Sequence, residues 1–250
     1  MKKKLFWAVC LCLCLLWAAC GAEESTEKNI EENVEEEVTD PIVVESMELL
    51  QFEDPENENL ADMLQKNGAG MMVQLGAGTL LGSGVIYKSE ENRLLILTAA
   101  HVLEEAEGSV LITFSDGWVT VSSDYECFAP TDLAVVRVDG SAIPEEHLNQ
   151  YICANVDKER FDAATAGEGC IVMGSSAGVA AEAYEGTILD NWIYMEDYGE
   201  YMMWVRAEGK PGMSGGGLFD RQGYFLGILS GGDQEGELAV VPLSLILATV

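Results

Sequence analysis

The chain has 250 residues, 48% of them apolar, with 26 glycines and a formal charge of −30 from 43 acidic and 13 basic side chains. A surface this negative repels phosphate backbones, which disfavours nucleic acid as a partner. The seven cysteines do not make a disulfide scaffold: Cys10, Cys12, Cys14 and Cys20 fall in the first twenty residues, and Cys127, Cys153 and Cys170 allow at most one internal bridge. These last three read most simply as isolated buried thiols.

Lys2, Lys3 and Lys4 precede an apolar run from Leu5 to Ala19, too short for an ordinary membrane-spanning helix, and the run ends in Ala18-Ala19-Cys20-Gly21. Residues 1–20 are therefore a targeting segment. Small residues before a cysteine resemble a bacterial lipoprotein signal, although Trp17 stands where that pattern usually has Leu. The resemblance implies a lipidated Cys20 and a place on the cell membrane, facing the extracytoplasmic side. Simple secretion is the alternative. Two acyl chains give stable anchoring without a spanning helix. Residues 21–58 are rich in Glu, with Lys28 as the single base, and predict a disordered acidic tether.

The remaining residues, 59–250, form the predicted folded domain. Asn59 and Gly68 bracket a short helix. Short apolar runs follow at Met71–Leu75, Leu80–Tyr87, Leu94–Thr98, Val110–Phe114, Val119–Ser122 and Leu133–Val138, then a helical insert near Pro144–Tyr151. Further runs cover Cys170–Met173, Gly186–Tyr194, Met202–Arg206, Gly217–Phe219, Phe225–Ser230 and Leu238–Pro242. Strands this short, punctuated by Gly, Asp, Asn and Ser, predict an all-β fold rather than a βαβ layout.

Gly212-Met213-Ser214-Gly215-Gly216 is the most suggestive local pattern. Glycines around a serine let the backbone turn tightly and aim its N–H groups at a developing oxyanion. The same five residues also satisfy G-x-S-x-G, the nucleophile elbow of α/β-hydrolases. Histidine order decides between them. The chain has two histidines, His101 and His147, both ahead of Ser214, whereas an α/β-hydrolase places its histidine after the serine. An order of histidine, aspartate and serine, with His101 ahead of Ser214, survives. His147, in a charged Pro-Glu-Glu-His segment, is expected on the solvent face.

Around these residues the chain resembles the trypsin-like serine proteases, the HtrA (DegP-like) branch in particular. The resemblance rests on Gly82-Ser83-Gly84-Val85-Ile86, Thr98-Ala99-Ala100-His101, Thr131-Asp132-Leu133-Ala134, Ser115-Asp116-Gly117, Phe225–Gly232 and Val240-Val241-Pro242. It implies two six-stranded antiparallel β-barrels with the active site between them. It also implies His101 as general base, Asp132 as its partner and Ser214 as nucleophile in a peptide-bond hydrolase. Backbone groups of Gly212, Met213 and Ser214 would form the oxyanion hole, and Glu208, Ser230, Gly231 and Gly232 the specificity pocket. Met213 departs from the Asn usual there, and the PDZ domain that HtrA proteins carry after the protease domain is not expected here. Protein or peptide substrates are expected, with no cofactor and no metal. The rival reading is a catalytically silent protein of the same fold that binds extracellular peptides.

Overall fold

The computed structural model describes residues 43–46, 59–176, 178, 180–233 and 235–250. The targeting segment 1–20 with Cys20, and the tether 21–58 apart from Val43–Ser46, lie outside the described residues. Those four residues depart from the expected tether. Ser46 bridges in parallel to Cys153, whose N–H donates to the Glu45 carbonyl at 2.8 Å. Val44 packs against the adjacent core, an apolar foothold in an acidic stretch.

Helix α1 (Leu60–Gly68) opens as predicted, with the Asn59 side chain accepting from the Asp62 N–H at 3.1 Å. The first sheet is built from β1 (Met72–Ala77), β2 (Leu80–Glu90), β3 (Arg93–Thr98), β4 (Val110–Phe114), β5 (Val119–Ser122), β6 (Tyr125–Phe128) and β7 (Leu133–Asp139). Helix α2 (Glu145–Leu148) follows. Then come β8 (Asn155–Val156), helix α3 (Lys158–Ala163), β9 (Gly169–Gly174), β10 (Glu182–Met195), β11 (Glu200–Ala207), β12 (Gly217–Asp220), β13 (Tyr224–Gly232), β14 (Glu237–Pro242) and helix α4 (Leu243–Thr249).

The strand order is β5-β4-β1-β2-β3-β7-β6 in the first sheet and β12-β9-β10-β11-β14-β13-β8 in the second. Pairing of β12 with β13 closes six strands of the second sheet into a barrel, with β8 added in parallel along β13. The first sheet curls without a ladder joining its ends among the described residues. β5 instead reaches β7, where the Ser122 hydroxyl donates to the Arg137 carbonyl at 2.6 Å and the Arg137 N–H donates to the Asp124 carbonyl at 2.8 Å. The two-barrel expectation holds, with seven strands in the first half because β6 pairs onto β7.

Side-chain alternation explains how the halves join. In β3, Leu94 and Ile96 enter the core of the first sheet, while Leu95 and Leu97 enter the core shared with the second. In β7, Ala134 and Val136 face the first core and Leu133 and Val135 the shared one. Both faces of these strands are covered, so their sequences read as unbroken apolar runs. Removing such area from water, at roughly 25 cal/mol per Å² of apolar surface, is what holds the halves together.

His147 is not on an open face. Its Nδ1 lies 2.6 Å from Asp116 Oδ2, and the Asp116 side chain is only 8% exposed. Trp118 stacks on the imidazole, Tyr151 OH reaches Asp116 Oδ1 at 3.3 Å, and the Trp118 N–H donates to the same oxygen at 3.0 Å. Burial pushes the Asp116 carboxyl up, but the bonds from Trp118, His147 and Tyr151 outweigh it and hold the group below its ordinary value of 3.8. A carboxyl depressed in the fold contributes stability that is complete above its ordinary value and lost as pH falls through the folded one. Asp116→Ala should therefore lower unfolding free energy by about 2 kcal/mol at pH 7, measured in urea, with a smaller deficit at pH 3.

Candidate active site

Strands β3 and β7 are antiparallel neighbours, with Thr98 opposite Ala134. The residues just past the end of β3 and just before the start of β7 therefore arrive together. A single helical turn, Ala100–Leu103, carries His101, and Asp132 immediately precedes Leu133. His101 Nδ1 lies 2.8 Å from Asp132 Oδ2, and the His101 N–H donates to Asp132 Oδ1 at 2.9 Å. A carboxylate can only accept, so Nδ1 carries the proton and Nε2 is the basic nitrogen.

Asp132 receives a third bond, from the Ser230 hydroxyl in β13. Ser230, expected as pocket lining, is 2% exposed and turns its oxygen to the carboxylate while still bordering the cavity. Burial works to raise the Asp132 carboxyl; the bonds from the His101 ring, Ser230 and the His101 amide outweigh it, and the group stays ionised below its ordinary range. The bond to Asp132 in turn raises the His101 imidazole above 6.5, against the opposing effect of partial burial, and the charges of Asp132 and Glu104 add to the rise.

Ser214 comes from the second sheet, on the loop between β11 and β12. It borders one cavity of about 830 Å³ with His101, Asp132, Met213, Ser230 and Glu208. No direct hydrogen bond joins the Ser214 hydroxyl to His101 among the described residues, a looseness common before substrate binds. The loop needs its glycines. Gly212 has φ +95°, and a Cβ there would fall 2.3 Å from the Ser176 carbonyl oxygen. Gly215 has φ +83°, and its Cβ would meet the Ser83 oxygen at 2.1 Å and Thr98 Oγ1 at 2.2 Å. Only glycine fits both the left-handed backbone and the space.

Of the three residues expected to form an oxyanion hole, Met213 is committed elsewhere. Its N–H donates to the Lys210 carbonyl at 3.0 Å, and its side chain is buried in the shared core. The Gly212 and Ser214 amides donate to no acceptor among the described residues. Glu208 borders the cavity with its side chain 61% exposed, 3.9 Å from Lys210. Lys210 itself is closer to Glu182, at 3.2 Å, and sits over the Tyr184 ring. Gly231 and Gly232 line the same cavity, and the Tyr198 hydroxyl occupies the space a side chain at 231 would take, 2.6 Å from its Cβ position. Tyr198 was invisible in sequence, because nothing local marks a turn residue between β10 and β11 as facing a distant strand.

The cysteines divide differently from expectation. Cys153 and Cys170 are buried, their thiols pushed up to about 11 and about 12 by desolvation. Cys127 is exposed, because it lies on β6, the outermost strand of its sheet.

The trypsin-like peptidase domain family matches residues 82–228, more than half of the chain. The HtrA-like serine protease of Staphylococcus aureus strain USA300 is 28% identical over 164 residues, covering 60% of this chain. The chain spans about a fifth of that relative's length. The serine endoprotease from Yersinia pestis superposes with a TM-score of 0.56 at 22% identity, over 72% of this chain and 61% of its own. The Rv3671c protease, in an inactive form, superposes with a TM-score of 0.58 at 20% identity, over 83% of this chain and 97% of its own. At those identities the two structures speak for the fold. With the family matched across the serine loop and the His–Asp pair alike, the chain belongs to the trypsin-like peptidases.

Proposed function

We propose that this protein is a serine endopeptidase, tethered at the extracytoplasmic face of a membrane by a lipid on Cys20, that cleaves peptide bonds through an acyl-enzyme on Ser214. The observation that carries the chemistry is the His101–Asp132 pair, bonded twice and backed by Ser230, in one cavity with Ser214. The tether rests on the sequence from Lys2 to Cys20 alone. A silent peptide binder would have no need of an ionised, hydrogen-bonded Asp132 behind a basic imidazole, so that reading is not favoured.

Ser214 Oγ attacks the scissile carbonyl while His101 Nε2 takes its proton. Asp132 holds the tautomer and stabilises the imidazolium. The Gly212 and Ser214 amides receive the oxyanion, each contributing about 3 kcal/mol in comparable sites. The imidazolium then gives its proton to the leaving amine, and water attacks the ester by the same route in reverse.

Because the raised His101 must be neutral to act, the acid limb of kcat/KM should have its midpoint above pH 6.5; an activity flat from pH 5 to 8 would contradict this role. A fluorophosphonate should label the wild-type chain. Ser214→Ala should abolish labelling, and turnover should fall by about 10⁴-fold or more. Gly212→Ala should stay folded by circular dichroism yet lose at least about 100-fold in kcat, since one amide of the pair is displaced. In a peptide library, Glu208→Gln should reduce cleavage after Arg and Lys by about tenfold relative to cleavage after Leu. Equal losses after all three would remove Glu208 from the specificity pocket.

A further inference from the structure

Ser83 has no part in the steps above, yet it is fully buried and bonded on every polar atom. It lies in β2 of the first sheet, and its partners lie mostly in the second. Its hydroxyl donates to the Gly212 carbonyl at 2.8 Å and accepts from the Ser175 N–H, just past β9, at 2.7 Å. Its own N–H donates to the Ser214 carbonyl at 2.7 Å. Its carbonyl accepts from the Thr98 hydroxyl at 2.7 Å, at the end of the strand that leads to His101.

The two carbonyls that Ser83 holds belong to the two residues whose amides stand uncommitted. A peptide plane is rigid, so orienting a carbonyl limits the rotation of the planes on either side. Gly212 needs that restraint most, because its φ of +95° lies where glycine rotates freely and other residues do not stay. Without the hydroxyl, its half-buried carbonyl would lose its protein partner, and turning the plane would be the easiest relief.

We propose that Ser83 is a positioning residue for the oxyanion site: its hydroxyl and amide fix the Gly212 and Ser214 carbonyls and so keep the two neighbouring amides available to substrate. The inference rests on the peptidase reading above. Ser83 touches no reacting atom and acts through the loop.

The test compares Ser83→Ala and Ser83→Cys with wild type and with Asp116→Ala, a destabilised control whose site borders neither the loop nor the cavity. Ser83→Ala should lower kcat and the fluorophosphonate labelling rate together, by about 30-fold, with KM within about twofold. Ser83→Cys keeps a weak donor and should fall between, which preserves the test if the alanine variant does not fold. Asp116→Ala should match the loss of stability while keeping wild-type kcat. Hydrogen exchange supplies a readout that needs no activity. The amides of Met213, Gly215 and Gly216 are bonded within the loop or to Leu229, and in the Ser83 variants they should exchange faster than in Asp116→Ala. A Ser83→Ala protein with wild-type kcat, or with unchanged exchange at those amides, would overturn the inference. If wild type itself resists the fluorophosphonate, the peptidase reading fails, and the exchange rates alone decide the part of Ser83.

Discussion

One buried serine between two sheets sets the arrangement on which the site depends. The first sheet carries His101 and Asp132 at its strand ends, and the second carries the loop with Ser214. Shared apolar packing can bring two sheets together, but it is non-directional and cannot fix a loop to within a fraction of an ångström. The Ser83 bonds can, because each has a preferred length and direction. They reach the strand end before His101 through Thr98, the β9 exit through Ser175, and the serine loop through Gly212 and Ser214. Gly215 must lack a side chain for that junction to close.

The surrounding packing makes these polar contacts strong. Ser83 is fully buried, so the bonds around it lie away from water, where an unpaired polar group is costly and a paired one is rigid. Exposure rises toward the cavity, where His101 is half-exposed and Glu208 lies largely open. The gradient suits the proposed chemistry: the parts that would have to stay fixed are dry, and the parts facing the cavity are wet.

Much of this was legible in the sequence, for identifiable reasons. Val110–Phe114 and Val119–Ser122 matched their strands end to end, because alternating apolar residues between turn formers are a local signal. The position of both histidines ahead of Ser214 argued against the α/β-hydrolase order from sequence alone. What escaped was short or non-local. β6 and β8 have four and two residues with little alternation, and α3 and α4 are each under two turns. His147 read as a surface residue because its own segment is charged, and only the fold brings Asp116 and Trp118 to it. Ser83 left a trace, a polar residue in an apolar strand, but the partners that explain it lie 92 to 131 positions away. Residues 1–20 speak through composition, and their claim about Cys20 stands on that alone.

Side chains from two sheets are proposed to make one nucleophilic centre at Ser214. Mixing the chain with an activated acyl ester, quenching in acid within the first turnover and locating the added mass by peptide mapping tests it most directly. A single acyl group should appear on Ser214 and be lost on return to neutral pH. An adduct on another residue, or none on a folded chain, would contradict it.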